Sequence, residues 1–322
     1  MEQRVLKRDL RRCFGQNGWI LLVYYLIMNA AVMLTVFVDE IILYIQYLLN
    51  PGKFTDDIGS LVLERASGNA WGYLLACLVG GVILLVWKKP DFCFRQIWRR
   101  AKPMTTKALL VVFCAFMSAQ AFQLLLTPLL EWLLNLLGLS ALASLELATA
   151  GANTVSMFLY VALFAPVFEE ILFRGLILHN LLPYGKKIAI VGSAFLFGMF
   201  HGNLVQSPYA FLVGLVLGYV TVEYSIVWAI ALHMFNNFIL GDLAVRLSEL
   251  IPSVYVDIVL YALIFGCTVA TLVIAAVNTG RIAKYLSRRR IHPWCLRSFF
   301  SSAGVIFFSM VMFVNMLLLL LL

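Results

Sequence analysis

Residues 155–180 read VSMFLYVALFAPVFEEILFRGLILHN. An apolar run of this length spans a hydrocarbon core of about 30 Å as a helix rising about 1.5 Å per residue, and a helix is the structure that satisfies its own backbone there. Comparable runs occupy 19–38, 71–87, 108–130, 188–204, 208–223, 226–242, 254–277 and 301–322. Of the 322 residues, 63% are hydrophobic and 12% charged, against about 25% charged in a soluble domain. The fold class expected is therefore all-α, a polytopic transmembrane helical bundle of about eight to nine spans.

The formal net charge of +8 would suggest nucleic acid as a partner if the basic residues formed a domain. They lie instead in the connections between apolar runs, and no nucleic-acid module is present, so membrane lipids are the expected partner and nucleic acid is not. With nine crossings, one side collects Arg4, Lys7, Arg8, Arg11 and Arg12, the run from Lys88 to Lys107, Arg174, Lys186 and Lys187, and the cluster from Arg281 to Arg297. The other side keeps Lys53, Arg65 and Arg246. By the positive-inside rule the amino terminus is cytoplasmic and the protein an integral, multi-pass one. The run at 19–38 is too long for the core of a cleaved signal peptide. Six scattered cysteines imply neither a disulfide framework nor a metal knuckle. Between 90 and 100, aromatic residues interleave with Arg95, Arg99 and Arg100, which suits a short helix in the headgroup region as well as it suits a basic loop. The stretch 131–154 either extends the third span or lies on the outer surface. Glu131, Glu223 and Asp257 lie near span ends, where a solvated carboxylate is expected.

Ionisable groups are costly inside a bilayer, at least about 2.5 kcal/mol each, so those present need a reason. They gather in three runs: Glu169, Glu170 and Arg174; His201; and His233 with Asn237. Counting from the basic connections puts Glu169 and His201 roughly 20 Å deep and His233 and Asn237 roughly 11 to 17 Å deep. Glu170 and Arg174, four apart, can neutralise each other along one face, which leaves Glu169 about 100° round the helix. A carboxylate without a partner suits a group that takes a proton from water and returns it. A histidine and an asparagine one turn apart can stabilise an oxyanion. Two histidines and a carboxylate, Glu169, His201 and His233, can equally hold a divalent metal such as zinc with one position open. Gly198-x-x-x-Gly202 and Gly214-x-x-x-Gly218 are expected to let helices approach closely. His179 and His292 lie at a span boundary and in a basic connection and suggest no chemistry.

Glu169-Glu170-x-x-x-Arg174, Phe197-x-x-x-His201 and His233-x-x-x-Asn237 resemble, in order, the three motifs of the CPBP family, the CAAX proteases and bacteriocin-processing proteins. The resemblance implies a catalytic core at 155–245, preceded by N-terminal spans with a basic loop at 1–154 and followed by C-terminal spans at 246–322. It implies an intramembrane endopeptidase in a bacterial cell membrane, acting on a peptide or lipidated protein substrate. Glu169 would activate water with His201, His233 and Asn237 would stabilise the oxyanion, and Glu170 and Arg174 would support the site. A metal-dependent and a metal-free glutamate mechanism both fit the family. The alternative is a non-catalytic bacteriocin-immunity or scaffold protein of the same fold, and a third reading makes the charged trio the relay of an ion-coupled transporter. Neither an H-E-x-x-H, a G-x-S-x-G nor a pair of intramembrane aspartates is present, so other intramembrane protease chemistries are not indicated.

Overall fold

The computed structural model describes residues 2–53, 58–141, 154–288 and 291–321, and helix is the regular structure among them. Helix α1 (Glu2–Leu49) is followed by the short α2 (Ile58–Gly68), by α3 (Trp71–Asp91) and by α4 (Thr106–Asn135). Then come α5 (Val155–Tyr184), α6 (Lys186–Phe200), α7 (Gln206–Glu223) and α8 (Ile226–Leu250). Helices α9 (Ser253–Val277), α10 (Thr279–Arg288), α11 (Pro293–Phe300) and α12 (Ala303–Leu319) complete the described chain. Large apolar side chains such as Met33, Val86, Leu125, Val259, Leu272 and Met310 point outward, as they do where the surrounding solvent is lipid.

Among the described residues, six helices are long and apolar enough to cross a membrane: α1, α3, α4, α5, α8 and α9. The count becomes seven if α11 and α12, bent by 63°, form one broken span. The sequence suggested eight to nine, and the difference lies in α6 and α7. These have 15 and 18 residues, about 22 and 27 Å of helix, and neither is among the six. They pair as an antiparallel hairpin whose two open ends meet, since Lys186 Nζ lies 2.8 Å from Glu223 Oε1. Because such a hairpin returns to the side it left, removing both from the count preserves the alternation of basic and non-basic connections. Lys102 joins the same carboxylate at 2.9 Å, and Lys187 Nζ donates to the Tyr285 carbonyl at 3.0 Å. The loops after α3, α5 and α9 therefore share one end.

Two further expectations are refined. The segment after α3 continues it as a π-helical turn, Phe92–Gln96, which buries Cys93 and Ile97 and leaves Phe94 exposed. Helix α4 extends through Asn135, and Glu131 is not simply solvated, for it accepts from Ser140 Oγ at 2.7 Å and from the Ala141 amide at 2.8 Å. The remainder of that stretch, 142–153, lies outside the described residues.

Two apolar clusters hold the bundle. The larger joins α1, α3, α5, α6, α11 and α12 through Leu10, Phe14, Phe173, Phe197, Phe299 and Phe308. The second joins α4, α7, α8 and α9 through Phe116, Leu217, Ala229 and Ile264. Helix α7 reaches both, with Ala210 in the first and Val213 in the second, and the polar residues of interest sit along this junction.

Candidate active site

Helix α5 brings two carboxylates to the junction by departing from regular α-helix on both sides of them. Tyr160–Phe164 and Ile171–Leu178 are π-helical, and Ala165–Glu170 between them is α-helical. Widened turns of this kind often occur at functional sites. The first has a visible cause in the sequence. In the π register the Ala165 amide donates to the Tyr160 carbonyl, and Pro166, next in line, has no N–H to offer Val161.

Glu170 and Arg174 pair as their spacing requires, Nη1 to Oε1 at 2.9 Å, and both side chains are completely buried. Burying an ion pair costs several kcal/mol per charge unless further contacts compensate. Here Arg174 Nη2 reaches the Gly214 carbonyl at 3.4 Å, and the guanidinium lies 4.2 Å over the Phe197 ring. The same Glu170 Oε1 also receives His233 Nδ1 at 2.9 Å, so the carboxylate is shared between helices α5 and α8. Glu170 Oε2 and Arg174 Nε are buried without a hydrogen-bond partner among the described residues.

Glu169 points the other way. Its side chain keeps 21% exposure, and its Oε2 lies 3.8 Å from His233 Nε2. Tyr24, Cys77 and Tyr160 lie within its electrostatic range, as does His201. His201, one residue beyond α6, places Nδ1 2.9 Å from the Phe197 carbonyl. A carbonyl only accepts, so Nδ1 carries a hydrogen, and in the neutral ring Nε2 holds the lone pair. Asn237 Nδ2 donates to the Val161 carbonyl at 3.0 Å, the group that Pro166 leaves without a helical donor.

The structure thus brings Glu169, Glu170, Arg174 and His233 into one contact chain, sets His201 within electrostatic reach of Glu169, and ties Asn237 to the helix that carries the two glutamates. It does not bond Asn237 to His233. What the sequence reading missed is the bond from Glu170 to His233, and the place of Phe197. That ring is 1% exposed and packs edge-on against both His201 and His233, with centroids 4.8 and 5.7 Å away, beneath Arg174. Its motif position was the available signal. Among the described residues no three His, Cys, Asp or Glu side chains gather as a metal site, and Glu169, His201 and His233 do not form a ligand set. Nδ1 of each histidine is already engaged, His201 on a carbonyl and His233 on Glu170. His179 Nδ1 donates to the Arg174 carbonyl at 2.7 Å, and this ring has no place in the cluster.

Comparison with known proteins bears on the segment that carries these residues. No curated protein and no solved structure matches the chain. Residues 151–239 match the model of the family described as type II CAAX prenyl endopeptidase Rce1-like, a segment that includes Glu169, Glu170, Arg174, His201, His233 and Asn237. The match supports the resemblance of this segment to the CAAX protease and bacteriocin-processing family.

Proposed function

We propose that the protein is an intramembrane endopeptidase that hydrolyses a peptide bond in a membrane-associated or lipidated substrate, with Glu169 as the base on the attacking water. The observation that carries this reading is the buried chain Arg174–Glu170–His233, which fixes the imidazole so that Nε2 faces Glu169 Oε2 at 3.8 Å. That distance exceeds a hydrogen bond and suits one water held by both groups. The water gives a proton to Glu169 as its oxygen adds to the scissile carbonyl carbon. Glu169 then returns the proton to the leaving nitrogen as the C–N bond breaks. His201, through the lone pair on Nε2, helps to orient the water. His233 and the second N–H of the Asn237 carboxamide stabilise the oxyanion.

No step in this scheme runs through a metal, so processing is expected to survive chelation. Loss on chelation with recovery on adding zinc would replace it with a metal mechanism using the same residues. The basic end of the bundle is assigned to the cytoplasm, together with the amino terminus.

The decisive experiment compares protein termini in membranes of cells carrying the wild type and Glu169→Ala. Termini that appear only with the wild type, while the variant inserts at the same level, are expected. Identical termini in both would overturn the proposal in favour of a non-catalytic immunity or scaffold protein.

A further inference from the structure

A chain of side-chain amides begins outside the motifs and ends on Asn237. Gln120 of α4 donates Nε2 to the Tyr209 hydroxyl and to Asn236 Oδ1. Tyr209 of α7 donates its hydroxyl to Asn236 Oδ1 at 2.6 Å. Asn236 Nδ2 donates to Asn237 Oδ1 at 3.1 Å, and Asn237 Nδ2 donates to the Val161 carbonyl at 3.0 Å.

The direction of every bond follows from its last member. The Val161 carbonyl can only accept, so Asn237 must turn its nitrogen toward α5 and its oxygen toward Asn236. Asn236 must then present nitrogen to Asn237 and oxygen to the other side, where Tyr209 and Gln120 must both donate. Val161 is free to anchor the chain because Pro166 cannot donate to it and the Ala165 amide is taken by Tyr160. Among the described residues, one hydrogen on Asn237 Nδ2 has no acceptor.

We infer that Gln120, Tyr209 and Asn236 are positioning residues that hold Asn237 with this remaining N–H turned toward the reacting carbonyl. The inference rests on the proposed endopeptidase reading. Without the donors on Gln120 and Tyr209, the Asn236 amide is free to flip, and Asn237, whose oxygen then faces an oxygen, keeps only the Val161 carbonyl to hold its orientation. A flipped Asn237 presents a lone pair where an oxyanion must form, which turns stabilisation into repulsion. Gln120 lies outside the family-matched segment 151–239, so α4 would contribute to the chemistry without bearing a motif.

A double-mutant cycle of Tyr209→Phe and Asn237→Ala in the full-length protein tests the relay. The rate is that at which the Glu169-dependent termini accumulate in membranes. Asn237→Ala is expected to slow it about 100-fold and Tyr209→Phe about 10-fold, the scale of losing or misaiming one oxyanion donor. The double variant should be no slower than Asn237→Ala alone. A combined loss near 1,000-fold would show that Tyr209 acts independently of Asn237 and would overturn the inference. Gln120→Leu should repeat the pattern of Tyr209→Phe. Thermal unfolding of the same four proteins in detergent micelles gives a second reading that needs no activity. Coupled Tm losses are expected, and additive ones overturn the relay. If no termini depend on Glu169, the endopeptidase reading fails while the unfolding cycle still decides the relay.

Discussion

Glu169 and Glu170 are adjacent, yet one is open to a shared space and the other is sealed inside the bundle. This difference separates the consequences of changing them. Removing Glu170 leaves Arg174 as a fully buried charge without its partner, which costs about 3–5 kcal/mol. Glu170→Ala should therefore lower both the thermal stability and the amount of inserted protein. The double variant Glu170→Ala/Arg174→Met should recover most of that stability, because no isolated charge remains, yet stay inactive because His233 has lost its anchor. If the double variant were as unstable as the single one, the stability of the pair would not come from charge compensation. Part of this was legible in the sequence: four-residue spacing announces the Glu170–Arg174 pair. The bond from Glu170 to His233 was not legible, because it joins side chains 63 positions apart whose approach depends on how α5 and α8 pack. Phe197 was marked by its motif position, but not the reason for it: that Arg174, His201 and His233 rest on its ring follows from packing between helices.

At the scale of elements, the sequence announces helices through long apolar runs but gives little sign of where their turns widen. Pro166 is a clue to the first π-turn of α5, whereas Ile171–Leu178 has no proline or glycine pair to explain it, and nothing in the structure accounts for it. The hairpin of α6 and α7 is a similar case, since its two apolar runs announce two helices but not that they pack closely on each other. Its packing matches the small-residue expectation in part. A Cβ on Gly198 would lie 2.7 Å from the Ser207 carbonyl oxygen and 3.0 Å from Phe211 Cβ, and one on Gly214 would lie 3.0 Å from Ala194 Cα. Gly202 serves a different purpose, as it follows α6 with φ +57° and ends the helix in a conformation suited to glycine. Gly198→Ala should thus cost about 1–3 kcal/mol by forcing α6 from α7, and should reduce activity because His201 lies three residues further on. Gly81→Ala in α3, where a Cβ would meet nothing within 4 Å, should instead stabilise the protein by about 0.5–1 kcal/mol. Unfolding of the two variants in parallel checks the contrast, and equal effects would mean that the α6–α7 approach is not limited by the glycine.

At the scale of the whole molecule, the matched segment 151–239 is braced by the two ends of the chain. Helices α1 and α12 meet backbone to backbone: a Cβ added to Gly18 would lie 2.3 Å from the Gly304 carbonyl carbon. Asn315 of α12 donates Nδ2 to the Gly202 carbonyl at 3.0 Å, and Tyr25 of α1 donates its hydroxyl to Asn315 Oδ1 at 3.3 Å. The turn that follows His201 is therefore held by the last helix, which is held in turn by the first. None of this could be read from the motifs, because glycines and one asparagine far apart in the sequence carry no pattern of their own. The arrangement makes a demanding prediction about truncation. A chain ending after Ser302 retains every motif residue but loses Phe308 and Met312 from the larger apolar cluster, along with the Asn315 contact. It should lose both thermal stability and Glu169-dependent processing. Asn315→Leu in the full chain separates the two effects, since it keeps α12 packed on α1 and removes only the hydrogen bonds to Gly202 and Tyr25. This variant should remain folded, with a Tm within a few degrees of wild type, and process more slowly because the turn beyond His201 is no longer fixed. Undiminished processing by the truncated chain would show that the matched segment, with the spans before it and α9 after it, positions His201 without help from the last helix.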